Sequence, residues 1–363
     1  MGFLSFFTQN IGIDLGTSNT LVYVSDKGII VNEPSVVAIK VNTNAVCAVG
    51  SEAKAMLDRT PKTISAIRPL QNGVIADFEI TRAMIKYFIN KALNNRRFMK
   101  SNIVICVPVG VTSIERRAVE EVAYDSGARK VKLVEEPMAA AIGAGLPVQE
   151  PIGNMIIDIG GGTTEIAIIS LGGIVVSDSL RIAGDDMDVN IKEYIKIKYK
   201  MEIGLVSAEK IKIILGNASE NYYNNNSLKE YNVADVQSST EEVILTNDAN
   251  NADEVNRQKE MEIRGRDIVS GLPLSMNITS YEIRDSIMET INNIVSAIKR
   301  VLERTPPELA ADLYTNGIYL TGGGALLKGL DMYIEEQTGL RVHIADNPLD
   351  CVALGAGKIC ENM

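Results

Sequence analysis

The chain has 363 residues, of which 46% are hydrophobic, 5% aromatic and 23% charged, a composition typical of a globular protein. It excludes disorder throughout, a collagen-like repeat and a disulfide scaffold. The net charge of −10 argues against sequence-independent nucleic-acid binding, which needs a basic surface. We also expect no membrane-spanning helix, because no run of about 18 apolar residues occurs.

The first predicted element is a hairpin that recurs later in the chain. Segment 13–24 (IDLGTSNTLVYV) aligns without gaps with segment 157–168 (IDIGGGTTEIAI). Both read as an apolar strand, an aspartate, a turn rich in glycine and threonine, and a second apolar strand. Two similar domains, each opening with this hairpin, are the natural inference.

Between and after the two copies, strands alternate with helices. We predict strands at 104–109 and 131–134, and helices at 113–127 and 137–145, the first capped by Thr112 or Ser113. Further helices are predicted at 187–199, 207–215 and 280–303. This alternation indicates an α/β fold. The first helix is expected to bury Ile114, Ala118, Val119, Val122 and Ala123.

Residues 217–260 differ from the rest of the chain. Asn, Ser, Asp and Glu dominate this segment, which is typical of a surface insertion. We assign it no chemistry.

Histidine and cysteine chemistry is not favoured. His343 is the only histidine and lies in a predicted strand, where a structural role is expected. The four cysteines form no CxxC pair, which fits the reduced interior of a cell. Chemistry should therefore depend on carboxylates, hydroxyls and backbone amides.

The two hairpin turns are candidates for phosphate binding. A turn such as 160–163 (GGGT) presents consecutive backbone N–H groups, which can hold phosphate oxygens. Asp14 and Asp158 each end a strand that enters such a turn. If the hairpins face each other, the two carboxylates would meet and could hold Mg²⁺, which accepts carboxylate and phosphate oxygens and keeps several waters. The structural alternative is an ordinary tight turn.

A third glycine cluster, in segment 318–327 (IYLTGGGALL), follows a predicted strand. It lacks the Rossmann GxGxxG spacing, and the chain contains no P-loop motif. Its glycines would let a base or ribose approach the backbone closely, although a simple turn is an equal alternative.

These three glycine-containing segments together resemble the nucleotide-binding signature of the actin, sugar-kinase and heat-shock-chaperone superfamily. The chain is more similar still to the MreB family of bacterial actin homologues. Segments 32–38 (NEPSVVA), 67–69 (IRP), 73–78 (GVIADF) and 134–145 (VEEPMAAAIGAG) look like blocks of that family. The resemblance covers nearly the whole chain except residues 217–260.

The resemblance implies an actin-like α/β fold of two duplicated domains, each with a smaller subdomain, that close on ATP or ADP and Mg²⁺. Domain I would comprise 1–146 and about 337–363, with a small subdomain at about 33–66. Domain II would comprise 147–336, with a small subdomain at about 182–278 that contains the insertion at about 217–260.

The resemblance also implies a set of nucleotide contacts. Asp14 and Asp158 would hold Mg²⁺ through water. Glu209 and Lys212 match ribose and adenine contacts, although at i, i+3 they could form only a surface ion pair. The other implied contacts are Thr17, Ser18, Asn19, Gly160, Gly161 and Gly162 with phosphates, and Gly322, Gly323, Gly324, Ala325 and Leu326 packed against the nucleotide.

For hydrolysis, Glu136 matches the acid that positions the attacking water, with Thr163 as its helper and Asp158 on the metal side. A carboxylate can orient and partly deprotonate such a water. The structural alternative is that Glu136, at a helix start before Pro137, only complements the helix dipole.

Two apolar segments suggest a membrane surface, as the resemblance implies. Segment 1–7 (MGFLSFF) is too short for a signal peptide, and Phe6 stands where a myristoylation motif needs Ser or Thr. Segment 96–100 (RRFMK) mixes basic and apolar residues that could meet anionic lipids. Ordinary packing is the alternative. The candidate membrane residues are Phe3, Phe6, Phe7, Phe98 and Met99.

The resulting hypothesis is a slow ATPase that polymerises into membrane-associated filaments for cell shape, in the cytoplasm at the inner face of the membrane. Its partners would be further copies of itself and other family members or membrane proteins. The alternative is a small-molecule kinase or a chaperone-type ATPase of the same superfamily. We find no acceptor-binding motif for a kinase and no additional substrate-binding domain for a chaperone.

Overall fold

The computed structural model describes residues 8–93, 100–219 and 259–363. The chain divides into two compact units. The first comprises Met1–Asp185, Ile294–Leu326 and Thr338–Met363, and the second Asp186–Asn293 and Leu327–Gln337. The boundaries of these units differ from the predicted domain boundaries, which stay a prediction.

The strands predicted at 104–109 and 131–134 are present as β9 (Lys100–Val107) and β10 (Ala128–Glu135), which begin four and three residues earlier than predicted. β9 ends at Val107 rather than at residue 109, because Pro108 has no N–H to donate to a neighbouring strand. The strands are β1 (Thr8–Leu15), β2 (Asn19–Val24), β3 (Gly28–Pro34), β4 (Val37–Lys40), β5 (Ala45–Val49), β6 (Ile64–Ile67), β7 (Leu70–Gln71), β8 (Val74–Ile75), β9 (Lys100–Val107), β10 (Ala128–Glu135), β11 (Asn154–Ile159), β12 (Thr164–Ser170), β13 (Gly173–Leu180), β14 (Met201–Glu202), β15 (Glu260–Asp267), β16 (Pro273–Thr279), β17 (Ile318–Thr321) and β18 (Val342–Ile344).

The helices predicted at 113–127, 137–145, 187–199, 207–215 and 280–303 are present, with ends within three residues of the predicted ones, and the other described helices were not predicted. Thr112 caps α3 through a reciprocal capping box with Glu115, as the sequence predicted. The helices are α1 (Ser51–Lys54), α2 (Phe78–Ala92), α3 (Ser113–Asp125), α4 (Glu136–Gly143), α5 (Gly184–Tyr199), α6 (Leu205–Leu215), α7 (Ser280–Arg304), α8 (Pro307–Asn316), α9 (Leu330–Thr338) and α10 (Cys351–Glu361).

Two five-stranded sheets in the first unit share one topology. The first sheet has the order β10-β9-β1-β2-β3, and the second has the order β18-β17-β11-β12-β13. Each contains an antiparallel meander of three strands, extended by two parallel strands. Asp14 pairs in register with Leu21, and Asp158 pairs with Glu165 at the equivalent position. The predicted duplication of the hairpin is therefore confirmed.

Helices α4 and α10 pack tightly together, in one core with strands of both sheets. A Cβ at Gly143 would lie 1.8 Å from the Cys351 carbonyl oxygen, and one at Gly355 would lie 1.9 Å from the Ala139 carbonyl oxygen. Only glycine permits this approach, because any side chain would collide with the backbone. The buried cluster contains Val104, Cys106, Ala139, Ala140, Ala141, Leu146, Val148, Ile156, Ala167, Ile169, Val352, Ala356 and Cys360.

A second core in the first unit joins α2 and α3 to the first sheet. Phe88 of α2 and Val122 of α3 are fully buried in it. The prediction that Ile114 belongs to the apolar face of α3 is wrong, since its side chain is 80% exposed. Ile114 lies in the first turn of the helix, before the turns that contact the core. A small sheet of order β5-β4-β6 completes this part of the chain.

The second unit is built around a three-stranded sheet of order β14-β15-β16. Its helices and strands bury a common set of apolar side chains. The buried residues include Met187, Ile191, Ile195, Met201, Ile211, Leu215, Met261, Ile263, Ile278, Ile283, Ile287 and Ile291.

Some predictions fall outside the described residues. Phe3, Phe6, Phe7, Phe98 and Met99 lie there, and so does the insertion from 220 to 258. Across residues 8–93, 100–219 and 259–363, no helix has the length and apolarity needed to cross a membrane.

Candidate functional site

The two predicted phosphate turns face each other in the first unit. A Cβ at Gly161 would lie 2.0 Å from the Ser18 hydroxyl oxygen, and one at Gly162 would lie 2.8 Å from the Thr17 hydroxyl oxygen. Glycine is required at both positions because a side chain would collide with the opposite turn. The structure thus brings together the turns that the sequence had only aligned.

The first turn is held by Ser35, which enters from the end of β3. The Ser35 hydroxyl donates to the Gly16 carbonyl over 2.7 Å, and the Ser35 N–H donates to the Ser18 carbonyl over 2.9 Å. The hydroxyls of Thr20 and Ser35 are also 2.9 Å apart. Ser35 therefore fixes the shape of the turn that carries Thr17 and Ser18.

The second turn closes on itself. The Gly160 N–H donates to the Thr163 carbonyl over 2.9 Å, and Thr163 is buried. Across from it, the Gly73 N–H donates to the Thr17 hydroxyl over 3.1 Å. Asn19, the last predicted phosphate contact, is half-buried at the start of β2.

Four acidic side chains gather beside the two turns. Asp14 and Asp158 end equivalent strands, Glu136 begins α4, and Glu165 lies opposite Asp158 on β12. Asp158 and Glu136 are each 7% exposed, Glu165 is fully buried, and Asp14 is half-buried. None of them forms an ion pair with a basic residue among the described residues.

Burial raises the pKa values of the two equivalent aspartates to different extents. The pKa of Asp14 rises to about 8, first through loss of solvent and then through the charge of Asp158. Burial also raises the pKa of Asp158, but only to about 6, since the Thr321 hydroxyl donates to its carboxylate over 3.1 Å and partly offsets the effect of burial. At neutral pH the second aspartate is therefore the more fully ionised one.

The two glutamates influence each other. Burial, followed by the charges of Glu165, Asp14 and Asp158, raises the pKa of Glu136 well above its ordinary value. Burial also raises the pKa of Glu165 to about 7, against the hydrogen bonds that it accepts. These come from the Ser179 hydroxyl over 2.6 Å and the Val109 N–H over 3.1 Å.

The third glycine cluster lies next to Asp158. A Cβ at Gly322 would lie 2.6 Å from an Asp158 carboxylate oxygen, and one at Gly324 would lie 2.3 Å from the Ile159 side chain. Gly323–Leu326 form a single 3₁₀ turn in which Ala325 is buried and Leu326 is exposed. The three predicted segments therefore meet at one place in the first unit.

The chain matches the model of the MreB/Mbl protein family over residues 8–233 and 227–363. It belongs to the MreB/Mbl family. The chain is 49% identical over 357 residues to the cell shape-determining protein Mbl of Bacillus cereus, covering 98% of this chain and 97% of that protein. It is 46% identical over 365 residues to the cell shape-determining protein MreB of Escherichia coli, covering 99% and 95%.

Solved structures give this MreB/Mbl chain an actin-like fold. MreB5 of Spiroplasma citri bound to AMPPNP has a TM-score of 0.84 and 38% identity, covering 98% of this chain and 96% of that one. The same protein bound to ADP has a TM-score of 0.83 and 37% identity, covering 98% of both chains. A double helical filament of MamK has a TM-score of 0.76 at 20% identity, covering 98% and 99%, and supports the fold alone. The predicted family and fold class are confirmed.

Two predicted nucleotide contacts lie in the second unit of the MreB/Mbl chain. Glu209 and Lys212 are on α6, and the Lys212 ammonium forms an ion pair with Asp188 at 2.8 Å. Their assignment to the ribose and the base stays a prediction.

The acidic residues of the site fit a hydrated cation. Within the described ranges, no group of three or more His, Cys, Asp or Glu side chains is arranged to hold a metal directly. Asp14 and Asp158 lie close enough for one charge to raise the pKa of the other, and no basic residue of the described chain pairs with them. Carboxylates of this kind suit Mg²⁺ held through its waters.

Several residues of the site have no role in the sequence-based hypothesis. Ser35 and Arg68, which donate hydrogen bonds to the first turn, lie in segments that were noted only as family blocks, and Asp185, which accepts from the Ser18 hydroxyl, carried no signal. Glu165 could have been found from the alignment of the hairpins, since it stands where the first copy has Leu21. An acid that replaces an apolar strand residue indicates a polar environment on that face.

Proposed function

We propose that this MreB/Mbl family member binds ATP and ADP with Mg²⁺ at the paired hairpin turns, hydrolyses ATP slowly, and polymerises into membrane-associated filaments that determine cell shape. The observation that carries the proposal is the meeting of two equivalent turns beside a cluster of four acids, three of them buried. The bound ADP and AMPPNP of the Spiroplasma citri neighbours support nucleotide binding by this chain. The names of the Bacillus and Escherichia coli relatives support the cellular role.

The turns supply the donors for the phosphates. Backbone N–H groups of 16–18, 161 and 162 and the hydroxyls of Thr17 and Ser18 would surround the phosphate chain from two sides. Asp14 and Asp158 would hold the waters of Mg²⁺. The ion, when bound, neutralises phosphate charge and stabilises the negative charge that develops during phosphoryl transfer.

Glu136 is the candidate for positioning the attacking water. It is buried at the start of α4, beside Asp158 and Glu165. Its raised pKa makes it a better proton acceptor than an exposed glutamate once it is ionised. Thr163, also buried, would help to orient the same water. The location of Glu136 at a helix start is compatible with both the catalytic and the helix-dipole interpretations.

Nucleotide binding would favour polymerisation by fixing the two turns relative to each other. A ligand that contacts both can stabilise the closed arrangement only by its greater affinity for that state. Loss of the terminal phosphate would weaken this preference. The full-length match to the MreB/Mbl family supports filament formation over the kinase and chaperone alternatives.

Membrane association is the part of the proposal that depends on the sequence alone. Phe3, Phe6, Phe7, Phe98 and Met99 would enter the lipid surface while neighbouring basic residues meet anionic head groups. The cytoplasmic face of the membrane would be the site of assembly.

Sedimentation tests the proposal. The full chain at micromolar concentration is spun with ATP, with ADP and without nucleotide, each with Mg²⁺ or with EDTA, and phosphate release is followed in parallel. We expect a larger pellet with Mg²⁺ and ATP, slow phosphate release, and co-flotation with vesicles that contain anionic lipid. A chain that never pellets in any state would disprove filament formation, and one that releases no phosphate would disprove the ATPase activity.

A further inference from the structure

Arg68, Ser18 and Asp185 form a connected polar group where the two turns meet. The Ser18 hydroxyl donates to Asp185 Oδ1 over 2.9 Å. Arg68 Nη1 lies 3.1 Å from Asp185 Oδ2 and donates to the Ser18 hydroxyl over 3.2 Å. A single guanidinium nitrogen thus contacts both a residue of the first turn and the carboxylate of Asp185.

The backbone fixes Asp185 to the second turn. The Asp185 N–H donates to the Gly161 carbonyl over 2.7 Å, and the Gly184 N–H donates to the Gly160 carbonyl over 3.2 Å. Arg68 follows β6 and reaches the same point from the other side. The side chains of Arg68 and Asp185 remain 26% and 33% exposed, so either can change partner without crossing a packed core.

The donors directed at Asp185 are those that a phosphate needs. A guanidinium and a hydroxyl converge on one carboxylate, and both bind phosphate oxygens by charge-assisted hydrogen bonds. Ser18 belongs to the turn that is proposed to hold phosphate, yet its hydroxyl donates a hydrogen bond to the Asp185 carboxylate. The carboxylate of Asp185 therefore occupies hydrogen-bonding positions that a phosphate oxygen could take.

We propose that Arg68 is a phosphate-binding residue of this site, and that Asp185 is an internal competitor which a nucleoside polyphosphate displaces from Arg68 and Ser18. This inference rests on the proposed nucleotide-binding function. It assigns opposite effects to two residues that are joined by one ion pair. Arg68 promotes binding of the polyphosphate, and the negative charge of Asp185 opposes it.

Equilibrium titration with a fluorescent ATP analogue and Mg²⁺ tests the inference. The protein concentration is kept below the level at which filaments sediment, so that the titration measures binding alone. Arg68→Ala is expected to weaken binding by at least about tenfold, the usual effect of losing a hydrogen bond between charged groups. Asp185→Asn keeps the shape and a hydrogen-bond acceptor but removes the charge, and is expected to tighten binding by about threefold. Arg68→Lys should retain part of the affinity.

A surface ion pair provides the matched control. Arg82 Nη2 lies 3.1 Å from Asp125 Oδ2, with side chains that are 41% and 53% exposed. Arg82→Ala and Asp125→Asn remove the same chemical groups away from the turns and should leave the affinity unchanged. Melting curves without nucleotide identify any variant that has lost its fold.

The results separate this inference from the proposed function. If Arg68 and Asp185 only tie the turns together, Arg68→Ala and Asp185→Asn will both weaken binding, and the inference is overturned. Wild-type affinity in Arg68→Ala also overturns it, while the proposed function stands. If the wild-type chain binds neither ATP nor ADP, the proposed function fails and the inference fails with it.

Discussion

The two sheets of the first unit present the same strand order and register, but they surround equivalent aspartates with different neighbours. Asp14 lies between Leu21 on one neighbouring strand and Cys106 on the other. Asp158 lies between Glu165 and Thr321. The fold therefore determines where each acid lies, and the adjacent strands determine how readily it ionises.

This difference gives the two aspartates separate properties at neutral pH. Thr321 donates a hydrogen bond to Asp158 and keeps its pKa at about 6. The Cys106 thiol instead lies 4.0 Å from the Val352 carbonyl, and the pKa of Asp14 reaches about 8. Asp158 is therefore the more readily ionised of the two at neutral pH, whereas Asp14 would have to lose a proton before it could hold the waters of a cation.

The largest effect is expected at Glu136, which has no counterpart in the second sheet, where β18 is followed by Ala345. Glu136→Ala should lower the rate of phosphate release by about 100-fold or more, the usual contribution of a general base. ATP binding should survive, because the turns and aspartates remain. Single-turnover phosphate release together with ATP titration measures both quantities.

The neighbouring Glu135 provides the control for this variant. Its side chain is 41% exposed and pairs with Arg116 at 3.0 Å. Glu135→Ala should leave phosphate release near the wild-type rate. An unchanged rate in Glu136→Ala would remove Glu136 from the mechanism.

The next effect concerns the stability of the chain without metal or nucleotide. The folded chain keeps a proton on Asp14 up to about pH 8, whereas an ordinary aspartate releases it near 3.8. This group therefore stabilises the fold fully below the lower value, and the stabilisation is lost as the pH rises towards the upper one. Asp14→Asn removes the titration, so the wild-type chain should lose about 1 to 2 kcal/mol more than the variant between about pH 6 and 8.

Urea unfolding in EDTA at several pH values measures this difference. Asp125→Asn, an exposed aspartate on α3, should follow the wild-type curve. If the free energy of unfolding depends on pH in the same way in the wild-type chain and in Asp14→Asn, the titration is not that of Asp14. Another buried acid would then cause the pH dependence.

The features repeated within the sequence could be predicted, since each copy supports the other. The alignment of 13–24 with 157–168 predicted both hairpins, and the structure confirms them with identical registers. The positions of Asp14 and Asp158 beside the turns followed from the same alignment. Helix caps were also predictable where the signal is local, as at Thr112.

Features that depend on distant segments could not be predicted. Asp185 contacts Ser18, 167 positions away along the chain, and Arg68 contacts Asp185 at a separation of 117. No local sequence pattern indicates that residues so far apart along the chain are in contact. Ile114 shows how a local pattern can mislead. An apolar residue at helical spacing is buried only where another element packs against that turn of the helix, and the Ile114 side chain is 80% exposed.

The smallest effect tests the comparison of the two sheets directly, by exchanging the neighbours of the aspartates. Thr321→Val removes the hydroxyl from Asp158 and should raise its pKa by about one unit, whereas Cys106→Ser offers a hydroxyl to Asp14 and should lower its pKa by a similar amount. At pH 7, Mg²⁺-dependent ATP binding should weaken by about twofold in Thr321→Val and tighten by about fivefold in Cys106→Ser, in proportion to the ionised fraction of each aspartate. Binding titrations from pH 6 to about 8.5 measure the shift, and Thr321→Ser, which keeps the hydroxyl, should behave as wild type. If neither exchange moves the pH dependence, the adjacent strands do not determine the ionisation of these aspartates, and burial alone explains both.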